Sequence, residues 1–147
     1  MKTYTRLYTR LYWIATAFIA LETFVGGLMD LTHGRTAVFT GPFASDVIAG
    51  LGYPLYVLTI IGLFKIPGAI VLIVPGFLRL KEWAYAGIVL ELLGAVESHA
   101  ACGHWNDAIA PLFLLGFAMA SWAMRPPGRI LGSLSRERGG VEGGRLT

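Results

Sequence analysis

The sequence predicts an all-α integral membrane protein, a four-helix bundle with both termini in the cytoplasm, and three observations carry that prediction. The 147 residues are 55% hydrophobic and 14% charged, with a mean hydropathy of +0.63, well beyond what a soluble domain of this size needs. Apolar residues gather into four runs, at 11–29, 54–74, 83–101 and 108–124, each close to the roughly 20 residues that cross a bilayer. Basic residues flank these runs unevenly: Lys2, Arg6 and Arg10 precede the first, Arg79 and Lys81 divide the second from the third, and Arg125, Arg129, Arg136, Arg138 and Arg145 follow the fourth. Only Arg35 lies between the first and second runs, and none between the third and fourth. The positive-inside rule therefore places both termini in the cytoplasm of a cell-membrane protein. The net charge of +3 reads as a topology signal, and no nucleic-acid partner is expected.

The chain opens with YTRL-YTRL-Y, which sets Tyr4, Tyr8 and Tyr12 four apart with Arg6 and Arg10 beside them, a pattern expected of an interfacial anchor. This start imitates a signal peptide, but no clear A-x-A cleavage site follows the apolar run and Glu22 interrupts it, so it is taken as a retained first span. Gly26 and Gly27 near the end of that span are expected to permit close helix approach. Between spans one and two, residues 43–51 suit a short surface helix with Pro42 at its first turn.

Span two carries Lys65 and Pro67; the proline leaves the carbonyl of Leu63 without its helical partner and should kink the helix beside Lys65. Residues 77–82 form the expected link to span three, short enough to make the two spans antiparallel neighbours. Span four has no charge and opens with Pro111 in its first turns. The segment 125–147, rich in Gly, Pro and Arg, is expected to be a disordered basic tail.

An ionisable group at membrane depth is costly enough to mark function. Lys65 and Glu91 each lie about 12 to 14 Å from the cytoplasmic end of their spans at about 1.5 Å per residue, with Glu22 slightly deeper. The three are expected to form one cluster and to be the catalytic candidates, with one of the two carboxyls holding its proton near neutrality. A pair of Lys65 and Glu91 that only fixes helix register is the plainer reading. On span three, Glu91, Gly94, Ala95 and Ser98 share a face, with His99 about a quarter turn away, whereas Glu97 is expected to reach the outer interface. Gly62, Gly68, Gly87 and Gly94 are read as packing residues first.

Cys102 is the only cysteine, which rules out an intrachain disulfide, a Cys-x-x-Cys relay and a self-contained dithiol mechanism of the vitamin K epoxide reductase type. His33, His99 and His104 all fall on the outer side, and H-x-x-C-x-H-x-x-D spans His99 to Asp107. These residue types suit zinc or copper, but their spacing matches no standard site, so no metal is expected. No phosphate-binding loop occurs.

The segment 51–103 resembles the DoxX-like family of small four-span membrane proteins, through LGYP, the G-x-x-K-x-x-G-A pattern around Lys65, LKEWAYAG and the G-A-x-x-S-H ending. The positions that carry the resemblance are Lys65, Gly68, Trp83, Tyr85, Gly87, Gly94, Ser98 and His99, with Glu91 where an acid is expected, whereas Glu97 departs from the pattern and Glu22 is not clearly shared. The resemblance implies a four-helix bundle. It also implies thiosulfate:quinone oxidoreduction, membrane complexes that link thiol and oxidative-stress enzymes, or assembly of receptor channels.

Three functions follow as expectations. The first is a membrane subunit of an oxidoreductase system that binds a quinone-like or other lipid-soluble molecule, with Lys65, Glu91, Gly94, Ser98 and His99 as binding residues; since the chain has no thiol pair, a quinone or a partner would carry the electrons. The second is an acid/base isomerase, cyclase or epoxide-opening enzyme acting on a hydrophobic substrate. The third is a non-enzymatic assembly factor. Expected partners are the bilayer, a lipid-soluble small molecule, and a membrane or soluble protein or a second copy of the chain.

Overall fold

Helix formation dominates because long apolar runs leave the backbone no other partner than itself. The computed structural model describes residues 2–34 and 44–130, and these hold five α-helices, α1 Lys2–Leu31, α2 Ala44–Gly50, α3 Tyr56–Ile73, α4 Leu78–Ala101 and α5 Ile109–Ala123, then a 3-10 turn Pro127–Arg129. Among the described residues there is no strand. The four long helices touch in a cycle: α1 lies against α3 and α5, and α4 against α5 and α3. Helices α1 and α3 are each long and apolar enough to cross a membrane. Helix α2 matches the expected surface helix; Pro42, Phe43 and Arg35 lie outside the described residues, as does everything after Ile130.

The closest packing is between α1 and α3, and two glycines allow it. A methyl added at Gly27 would lie 2.8 Å from Cβ of Lys65, and one at Gly62 would lie 2.8 Å from the carbonyl oxygen of Gly27. The core is built from Ile19 and Ala20 of α1, Leu72 of α3, Tyr85, Ile88 and Leu92 of α4, and Ala118 of α5. Inside it, Ser121 bonds both the hydroxyl of Thr16 and that of Tyr85 at 2.7 Å, so three helices share one satisfied polar junction. The outward surface is strongly apolar, with Phe64 75% and Trp83 79% exposed, as suits a lipid solvent.

The structure moves several basic residues from surface to framework. Helix α4 begins at Leu78, five residues before the expected span, because Gly76 and Phe77 take left-handed backbone angles, with φ of 79° and 50°, and turn the chain sharply. Lys81, read above as a topology signal in a linker, is therefore buried in the first turns of α4 and donates to the carbonyls of Val71, Leu72 and Val74. Arg129 donates to the carbonyls of Leu72 at 2.9 Å and Ile73 at 3.1 Å. The last carbonyls of a helix lack partners within it and carry partial negative charge, so two cations are well placed there. Tyr12, expected at the interface, is buried instead, and its hydroxyl accepts from Arg129 at 3.2 Å. Arg125 is buried as well and pairs with Glu82 at 2.6 Å; these two arginines, assigned above to the tail, secure the end of the molecule that bears the N-terminal half of α1.

Candidate functional site

Lys65 projects from α3 between α1 and α4. Its Nζ lies 2.7 Å from Oε1 of Glu91 and 3.0 Å from Oδ2 of Asp30. Glu22, Gly26 and Asp30 follow one another at intervals of four and so lie along one face of α1. The missing side chain of Gly26 leaves the space into which the ammonium reaches. A Cβ placed there would lie 3.4 Å from Nζ of Lys65 and 3.6 Å from Oε1 of Glu22. Three carboxyls thus surround one ammonium, although Glu22 makes no direct ion pair with it. The expected grouping of Glu22, Lys65 and Glu91 is present, and Asp30, which lies just beyond the expected end of the first span at residue 29, belongs to it: α1 continues through Leu31 and carries Asp30 in its last turn. The E-x-x-x-G-x-x-x-D spacing was the signal for it.

Two cavities meet at this cluster. One, of about 550 Å³, is lined by residues that include Phe64, Gly68, Val71, Trp83 and Gly87; the other, of about 670 Å³, is lined by residues that include Tyr53, Leu90, Gly94, Ser98 and His99. Ile61, Lys65 and Glu91 belong to the walls of both. Both are mostly apolar, and they follow the seam between α3 and α4 with the charged pair at its middle. Lys65, Glu91, Gly94, Ser98 and His99 all line the second cavity, whereas Glu22 lines neither.

The glycines of this seam do not pack. Gly62 does, against α1, but a methyl added at Gly68, Gly87 or Gly94 would meet nothing within 4 Å. The packing role expected of those three is therefore corrected: they widen the cavities. Near the C-terminal end of α4, Tyr53 and Ser98 share a hydrogen bond of 2.9 Å, and Ser98 also donates to the carbonyl of Gly94 at 2.7 Å. His99 has a buried Nδ1 without a hydrogen-bond partner. Elsewhere His33 is engaged with Thr59 at 3.1 Å, and Glu97 and Cys102 are exposed.

Neither a curated protein nor a solved structure matches the chain. The sequence model of the DoxX-like family, in contrast, matches residues 14–121, a stretch that runs from the first apolar helix to the last and contains the Lys65 cluster and both cavities, and the chain therefore belongs to the DoxX-like family.

Proposed function

We propose that this DoxX-like protein is a four-span membrane bundle with both termini in the cytoplasm, and that it holds a quinone-like or other lipid-soluble molecule in the seam between α3 and α4. The observation that carries this reading is the meeting of two apolar cavities at Lys65 and Glu91. Ligand sites are concave and mainly apolar, with a few convergent polar groups that fix orientation. The ammonium of Lys65 would donate to a carbonyl of the bound molecule. Glu91, with Glu22 and Asp30 near it, would exchange protons as that carbonyl changes its electron count. A quinone would carry the electrons, accepting them from a partner protein, since the one cysteine cannot relay them. In this role the protein is the membrane component of an oxidoreductase system.

The crowding of three carboxyls about one lysine also favours a second reading, an acid/base enzyme acting on a hydrophobic substrate. The two differ in whether electrons move. An assembly factor that pairs its charges with partner helices draws less support, because Lys65 already has two carboxylates within this chain.

Mass spectrometry of small molecules extracted from gently solubilised protein tests the proposal. A defined hydrophobic compound should accompany the wild type and be lost from a folded Glu91→Gln variant. Bulk lipid alone in both, together with failure of added quinones to bind, would end the quinone-site reading.

A further inference from the structure

The turn that follows α4 does more than end a helix. Gly103 has φ of 76°, its N–H bonds the carbonyl of Ala100 at 3.0 Å, and the N–H of His104 bonds the carbonyl of His99 at 2.8 Å. This is a Schellman cap, a motif that brings the residue after the left-handed glycine back over the last turn of the helix. That position is commonly apolar and touches an apolar partner. Here both residues are histidines. One turn later the N–H of Asp107 bonds the carbonyl of His104 at 3.1 Å, which returns a carboxylate to the same place. One ligand atom each from His99, His104 and Asp107 then lie within 4.8 Å of one another. Cys102, which the sequence motif includes, does not join them.

From this geometry we infer that the turn between α4 and α5 is a binding site for a borderline divalent metal ion of the zinc class, held by His99, His104 and Asp107. Two imidazoles and one carboxylate form a donor set that zinc accepts, and three protein ligands leave one position for water or another molecule. Zinc to nitrogen distances are about 2.0 to 2.1 Å, so small side-chain rotations close the set around an ion while the capped backbone stays in place. Two further observations point to a ligand. The Nδ1 of His99 is buried without a partner, and His104 and Asp107 are exposed at the surface, where an ion can enter. His99 also lines the second cavity, so the bound ion stands at the rim of that cavity.

The test uses the full chain without a histidine tag, in detergent, stripped with a chelator. Zinc is titrated calorimetrically, and cobalt(II) serves as a visible-absorption probe of the ligands. About one zinc per chain is expected, and the His104→Ala/Asp107→Asn double variant should weaken binding by more than about tenfold while His33→Ala binds as the wild type does. Far-ultraviolet circular dichroism checks that the double variant is folded. Zinc bound equally by wild type and double variant marks an adventitious ion and overturns the assignment, as does the absence of stoichiometric binding or of cobalt bands that change on His104→Ala.

Discussion

Nζ of Lys65 lies 2.7 Å from Oε1 of Glu91, and this pair joins α3 to α4 at the point where two cavities meet. The same ammonium lies 3.0 Å from Asp30 of α1. Among the described residues Lys65 alone pairs with carboxylates on two different helices, and its removal differs in kind from the removal of either acid. Lys65→Ala leaves both carboxylates partly buried and uncompensated, and breaking such a pair costs about 3 kcal/mol or more. Glu91→Gln leaves Lys65 still paired with Asp30 and should cost about 1 kcal/mol. Thermal unfolding in one detergent should rank the two that way. Equal, small losses would mean that the cluster is solvated and contributes little.

The glycines of α3 and α4 separate packing from cavity formation. Gly62→Ala places a methyl 2.8 Å from a backbone oxygen of α1, and forcing atoms into a packed contact costs about 1 to 3 kcal/mol. Gly87→Leu and Gly94→Leu have open space at the point of attachment and should leave the melting temperature unchanged or higher, since helix interiors favour leucine over glycine by nearly 1 kcal/mol. The same two variants fill the cavities and should lower the amount of co-purifying hydrophobic compound several-fold. If they unfold the protein, these glycines pack after all.

Much of this architecture was legible in apolar run lengths and little of it in the charges at their ends. The runs near 20 residues gave each long helix, and the equal depth of Lys65 and Glu91 on antiparallel neighbours gave their pairing. Asp30 was missed because it lies just past the expected end of the first span at residue 29, whereas its spacing of eight residues from Glu22, close to two helical turns, was the better guide. Lys81 and Arg129 were missed for a different reason. Basic residues beside an apolar run ordinarily snorkel to the interface, whereas the turn at Gly76 and Phe77 brings Lys81, and the 3-10 turn Pro127–Arg129 brings Arg129, to the open carbonyls of α3. The three glycines of the seam are indistinguishable in sequence from close-contact glycines, since the absence of a side chain permits either.

The polar junction inside the core sets a third expectation. Ser121 is fully buried and touches both Thr16 and Tyr85, so Ser121→Ala takes a hydrogen-bond partner from two hydroxyls at once. An unsatisfied buried polar group costs about 1 to 3 kcal/mol. Adding Thr16→Val and Tyr85→Phe to Ser121→Ala removes those hydroxyls and should restore part of that loss. A triple variant no more stable than Ser121→Ala would show that the hydroxyls found other partners.

The cationic cap on α3 gives the last test. Lys81 and Arg129 approach adjacent carbonyls from opposite parts of the chain, one from α4 and the other from the 3-10 turn. Arg129 also lies 4.4 Å over the ring of Trp13, so it connects α1 and α3 beyond its role as a cap. Charge near a helix C-terminus contributes about 0.3 to 1 kcal/mol when exposed and up to about 2 when partly buried. Arg129→Ala loses the carbonyl bonds and the ring contact together and should cost more than Arg129→Lys, which keeps the charge but not the planar fork. Lys81→Met removes the buried ammonium but retains the length of its apolar stem, leaving the carbonyls of Val71 and Val74 exposed to an apolar environment. Amide exchange measured by mass spectrometry should therefore quicken in the last turn of α3 for Lys81→Met and remain unchanged around Lys65. Exchange that rises equally in both places would mean that Lys81 supports the whole helix and not its end.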